Sequence, residues 1–181
     1  MATVAQPLAG TFEADPTHSS FAFAVKHMSV STFRGSFSDV KARLVGDENS
    51  LRLEGRANVE SISITTPAEF RAHVLDKDFF DMENHPEIRF ESERIAIDDA
   101  HNVSLDGQLT VKGITRPVSA TGTYVEPTED PYGDLRAALE LYATIDRREF
   151  AMTWNEMLPK GGQALGSDVT LTVQLELVKV R

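Results

Sequence analysis

Between Leu51 and Glu60 every odd position is small or apolar (Leu51, Leu53, Gly55, Ala57, Val59) and every even one is polar (Arg52, Glu54, Arg56, Asn58, Glu60). A period of two marks a strand with one dry face and one wet face, because successive β side chains point to opposite sides of the sheet. The alternation returns at Val103, Leu105, Gly107, Leu109 and Val111, and again at Val169, Leu171, Val173, Leu175 and Leu177. Strands wetted on one face predict an antiparallel sheet, since parallel strands are apolar on both. Weaker alternations run over Phe21, Phe23 and Val25; over Phe33 and Phe37, then Val40, Ala42 and Leu44; and over Ile88 and Phe90, then Ile95 and Ile97. With Val118 to Tyr124 and the odd positions of Leu135 to Ile145, they bring the count to eight strands. In the second and fourth of the eight the apolar parity switches partway, which predicts a β-bulge or a strand corner in each. Residues 135–141 also hold good helix formers (Arg136, Ala137, Ala138, Leu139, Glu140), so a helix is the alternative there.

One helix is predicted near residues 67–77. Thr66-Pro67-Ala68-Glu69 has the form of an N-cap, a first-turn proline and a capping-box glutamate, and Phe70 and Val74 fall on one face. The adjacent aromatics of Asp78-Phe79-Phe80-Asp81 are costly if exposed, so at least one is expected over an end of the sheet. Residues 1–10 read as a flexible segment and 11–181 as one folded domain, without repeat or linker. Eight mostly adjacent antiparallel strands protect their edges best by closing into a barrel, with a two-sheet sandwich as the alternative. The inward parity is rich in small residues (Gly55, Ala57, Gly107, Ala120, Gly122, Ala137, Ala143). These either leave a cavity for one small ligand or place glycine where strands curve.

The chain has no cysteine, which excludes disulfides, zinc–thiolate sites and a cysteine nucleophile. With 28 acidic against 18 basic side chains the formal charge is −10, which repels phosphate backbones, and no basic run offsets it. Nucleic acid is therefore not an expected partner. The longest apolar stretch, Phe21 to Val25, is far below the roughly 18 residues a membrane span needs, so no stable membrane insertion is expected. The amino terminus lacks the basic and apolar regions of a secretion signal, which points to a cytoplasmic setting. The five histidines lack metal-ligand spacing, so neither a metal nor another cofactor is expected. His27 shares the parity of Phe21, Phe23 and Val25, which directs it to the lumen or its mouth as a ligand contact or as a hydrogen-bonded core residue. Arg34, Arg116, Arg147 and Arg148 lie near strand ends, as solvated charges or as donors to a polar head group. Phe150, Met152 and Trp154 alternate beside Arg147.

Five blocks in order carry a resemblance. They are Asp15 to Phe23; Arg34-Gly35-Ser36-Phe37; His73 with Asp78-Phe79-Phe80-Asp81; Gly107 to Val118; and Ile145-Asp146-Arg147-Arg148-Glu149-Phe150. Together they resemble the YceI-like family of polyisoprenoid-binding proteins over roughly residues 11–180. The resemblance implies an all-β, elongated, lipocalin-like barrel of eight antiparallel strands, whose lumen holds a long isoprenoid or similar lipid, often in a homodimer. On that basis a non-catalytic carrier is expected. Phe21, Phe23, Val25, Phe37, Leu53, Phe90, Leu109, Val111, Ile145 and Trp154 are the expected apolar wall. His18, His27, Arg34, His73, Asp78, Arg116 and Arg147 are the expected polar end. Phe70 and Arg71 stand where the family usually has an Arg-Asp pair, and His85 stands where it has an aromatic before Pro86. The alternatives are an enzyme using His27 or His73 as general base in the same cavity, and a solidly packed barrel binding a partner outside.

Overall fold

A computed structural model describes residues 8–47 and 49–181. The period-two runs become the strands β1 (Gly10–Ala14), β2 (Ser20–His27), β3 (Ser31–Phe37), β4 (Val40–Gly46), β5 (Leu51–Asn58), β6 (Glu87–Ile97), β7 (Asn102–Val111), β8 (Ile114–Glu129), β9 (Leu135–Asp146) and β10 (Leu165–Lys179). One helix, α1 (Ala68–Leu75), lies between β5 and β6. Neighbours run β1-β4-β5-β6-β7-β8-β9-β10-β2-β3, and β1 also pairs with β10. That last pairing closes the sheet, which removes the sandwich alternative. The strands β1 and β2 follow one another along the same edge of β10, pairing at residues 177–179 and 165–174 respectively. Beside them, β4 pairs with β1 and β3 with β2. Ten strands therefore fill eight wall positions of an all-antiparallel barrel.

Both parity switches mark real breaks. The wall turns a corner at Ser38-Asp39, between β3 and β4, where the Ser61 hydroxyl oxygen accepts from the Asp39 and Ser38 amides at 3.0 and 3.1 Å. In β6 the register against β7 shifts between Ser92 and Arg94, a bulge that moves the inward positions from Ile88 and Phe90 to Ile95 and Ile97. Residues 135–141 form strand, not helix. Their helix formers are overruled by pairing on both edges, with β8 and with β10.

The expected capping box does not form. Pro67 is itself the N-cap residue, no side chain caps the helix, and the Pro67 carbonyl accepts from the Phe70 and Arg71 amides. Thr66 thus lies one residue too early to cap. The flexible segment expected over 1–10 falls mostly on residues 1–7, outside the described residues. Leu8 is described, and it is buried at 1% exposure.

Two apolar clusters divide the lumen. At one end Leu8, Phe12, Leu44, Leu51, Leu105, Tyr124, Leu139 and Leu177 pack together, with Phe12 and Leu44 directly opposite each other across β1 and β4. At the other, Phe21, Phe37, Val74, Ile88, Leu109, Phe150 and their neighbours form a looser shell. Tyr124 is the one buried polar side chain without a partner among the described residues, and burial pushes its pKa up to about 12. An orphaned buried hydroxyl costs free energy, so Tyr124→Phe is expected to raise stability by about 1 kcal/mol in equilibrium denaturation. A loss of stability would show that the hydroxyl has a partner.

Candidate functional site

The looser end encloses a cavity of about 900 Å³. Its wall is built from the inward positions of β2, β3, β6, β7, β9 and β10 together with α1 and the segments 76–85 and 147–164. Phe79 and Phe80 both pack inward. Phe80 meets Phe37 at 5.6 Å and Phe23 at 6.3 Å between ring centroids, and Phe79 meets Trp154 at 5.6 Å. Gly35 lies under the Phe23 ring, where a Cβ would stand 2.4 Å from it, so glycine lets that ring lie flat over β3. A smaller cavity of about 100 Å³ follows deeper in the barrel.

Every residue expected in the apolar wall lines one or both cavities. Phe23, Val25, Phe37, Val111, Ile145 and Trp154 line the large one, Leu53 and Phe90 the small one, and Phe21 and Leu109 both. The small inward residues divide by role. Gly55, Ala57, Ala120 and Ala143 border the small cavity. Gly107 and Gly122 instead permit close packing, because a Cβ would clash with Phe90 at the first and with the Glu140 carbonyl at the second.

The expected polar residues separate. His27, His73 and Arg147 line the large cavity. The His73 imidazole is 3.2 Å from the Asp78 carboxylate and stacks edge-on against Trp154 at 4.9 Å and Phe79 at 5.2 Å. Arg147 is 4% exposed and pairs with no carboxylate among the described residues. It donates instead to the backbone carbonyls of Gly166 (2.7 Å), Met152 (2.5 Å), Trp154 (2.9 Å) and Leu165 (3.3 Å). Burial lowers its pKa from the ordinary guanidinium value. Its neighbour Asp146 is engaged by Arg148 and lowered to about 2. Arg147 therefore holds the mouth segment onto β10 and leaves a buried positive charge beside the cavity. Removing it takes this donor from the Gly166, Met152 and Trp154 carbonyls, while Asn155 still holds that of Leu165, so Arg147→Leu is expected to cost about 2–4 kcal/mol in denaturant titration. A cost below about 0.5 kcal/mol contradicts that anchoring role.

His18, Arg34, Asp78 and Arg116 line neither cavity, Asp78 standing behind His73. Arg34 faces outward on β3 opposite Ala24, and Arg116 is exposed and donates to the Thr115 carbonyl. His18 belongs to an ion network on the outer wall. Its Nδ1 is 3.0 Å from Asp15, and Arg136 donates to Asp15 (2.9 Å), Asp130 (2.7 Å) and Glu176 (2.6 Å). Asp15, His18 and Glu176 converge closely enough to share a metal ion, but Arg136 already engages both carboxylates. His18 is raised by Asp15 and then Glu176, Asp15 lies well below the carboxylate range, and Asp130 falls to about 2 under Arg136. A histidine with a raised folded-state pKa contributes fully below its unfolded value of 6.5 and loses that contribution as pH rises through the folded value. The carboxylates contribute fully above 3.8 and less as pH falls towards about 2. His18→Gln is therefore expected to be less stable than wild type near pH 6 and equal to it near pH 9. A deficit independent of pH rules out the charged pair.

Several cavity residues carried no strong sequence signal. Met28, Met157 and Leu158 come from irregular segments, whereas Phe70 and Val74, expected on one helix face, both line the cavity. Arg71, in the departure from the family pattern, donates to the carbonyls of Glu60, Ile62 and Ile64 and ties α1 to the wall.

Fold and cavity together define a hollow antiparallel barrel with one buried arginine in the cavity wall. The family model described as a YceI-like domain matches residues 12–177, and the chain belongs to that family. It is 30% identical over 168 residues to the UPF0312 protein SA2479 of Staphylococcus aureus, covering 91% of this chain and 95% of the relative. Among solved structures, Burkholderia cenocepacia BcnA superposes with a TM-score of 0.76 at 21% identity, covering 92% of this chain and 99% of BcnA. A polyisoprenoid-binding domain from Saccharophagus degradans superposes with a TM-score of 0.70 at 9% identity, covering 95% of this chain and 99% of that domain. No helix among the described residues is long and apolar enough to cross a membrane.

Proposed function

We propose that the protein is a non-catalytic carrier that holds a long-chain isoprenoid or similar amphiphilic lipid, of prenyl phosphate or quinone type, inside the barrel. The observation that carries this is the cavity of about 900 Å³ lined mainly by aromatic and aliphatic side chains, with His27, His73 and Arg147 at its wall. An apolar chain gains about 0.8 kcal/mol for each methylene taken from water, so a dry wall retains it with few polar contacts. The charge of Arg147, in salt-bridge contact with no carboxylate among the described residues, favours a head group bearing an anion or an electron-rich oxygen. The polyisoprenoid-binding domain of S. degradans, which shares the fold, supports the same ligand class. A homodimer follows from the family resemblance and is tested by light scattering of the purified protein.

Organic extraction of the purified protein, followed by mass spectrometry, is expected to release a long-chain lipid. Phe23→Glu, which puts a charge in the cavity wall, is expected to lose it while keeping the far-ultraviolet circular dichroism of the barrel. Repeated absence of lipid, with no uptake of added prenyl lipid, overturns the proposal.

The enzyme reading keeps one observation, the half-buried His73 held by Asp78 at the cavity wall. It requires that added lipid is recovered chemically altered, and that Asp78→Asn slows the change. The packed-barrel reading loses its premise to a cavity of this volume.

A further inference from the structure

The two cavities share four wall residues, Phe21, Ile88, Leu109 and Leu171. Phe21 and Leu171 belong to the adjacent strands β2 and β10, and Ile88 and Leu109 to the adjacent strands β6 and β7. The boundary between the two cavities is therefore lined by one pair from each of two wall regions. The ring at the pinch is held from behind: Phe21 stacks on Phe37 at 5.4 Å, and Phe37 is 2% exposed. Ile88 and Leu109 are each 5% exposed, so they too sit in packed surroundings. Beyond the pinch the space is small but dry, bordered by Leu53, Gly55, Ala57, Leu105 and Ala120. The packed cluster around Phe12 and Leu44 fills the barrel after that.

We infer that the Phe21–Ile88–Leu109–Leu171 pinch is a chain-length stop, and that the small chamber behind it is a terminal subsite closed to the ligand while Phe21 is in place. The inference rests on the carrier reading and adds a specificity determinant to it. At about 30 Å³ per heavy atom, the share of a water in the liquid, the large cavity of about 900 Å³ takes at least roughly thirty atoms, or about six isoprene units. The small chamber of about 100 Å³ takes roughly three more atoms, and removal of the Phe21 ring adds further room. Gly55 supplies the converse control. A Cβ placed there meets only the Lys41 carbonyl, at 3.8 Å, so a valine fits the strand and fills the chamber.

The test loads delipidated full-length protein with an equimolar mixture of all-trans prenyl alcohols of three to ten isoprene units. The complexes are desalted, extracted, and the bound lengths read by mass spectrometry. Phe21→Ala is expected to move the preferred length upward by about one isoprene unit. Gly55→Val is expected to leave the wild-type preference in place and to cancel the shift when combined with Phe21→Ala. If Phe21→Ala does not fold by circular dichroism, Leu109→Ala opens the same pinch from the opposite region and carries the same expectation. An unchanged length distribution in a folded pinch variant overturns the stop. A shift that survives Gly55→Val overturns the terminal subsite. Wild-type protein that captures no prenyl alcohol of any length overturns the carrier reading, and the stop falls with it.

Discussion

The barrel depends on how the free edge of β10 is satisfied. A strand edge exposes a row of unpaired amides and carbonyls, and a closed wall is the arrangement that leaves none. Here β9 covers one edge of β10, while β2 and then β1 cover the other. The crease between them falls at Glu176, whose amide donates to the Ser19 hydroxyl oxygen and whose carbonyl accepts from the Asp15 amide at 2.8 Å. A five-residue turn thus completes the ladder where neither strand reaches. Arg136 and its three carboxylates brace the same crease from outside.

That crease makes the two ends of the barrel unlike. Where β1 completes the wall, it brings Phe12 into the lumen, and the end fills with large side chains. Past the crease the wall passes to the β2–β3 hairpin, and α1 with the segment 147–164 borders a hollow instead. The mouth segment has little regular ladder of its own. It is held by Arg147, whose guanidinium gathers four carbonyls, and by Asn155, whose side chain bonds both the amide and the carbonyl of Leu165. One buried charge thus anchors the backbone and also lines the cavity.

Much of the wall was legible locally. The parity of Leu51 to Val59, and its switches in 33–44 and 88–97, translated directly into faces, a corner and a bulge, because the β pleat turns odd and even into in and out. The short strand β1 was not legible, since Gly10–Ala14 has too few residues for a period to emerge and its role lies in long-range pairing. The polar end was legible only in part. His27, His73 and Arg147 reach one cavity, whereas Arg34 takes the outer face of its strand and His18 serves the crease. Residue type marks a side chain as polar, but its strand and depth decide whether it reaches the cavity.

The sequence by itself determined an antiparallel wall with an apolar lining, because alternation acts within a few residues and needs no partner to be read. Only the tertiary structure decided which stretch of lumen is filled and which is hollow, and which few of the scattered histidines and arginines stand beside the hollow. Those outcomes depend on the side chains that face one another across the barrel, brought together from strands far apart in the chain. No local period encodes that opposition.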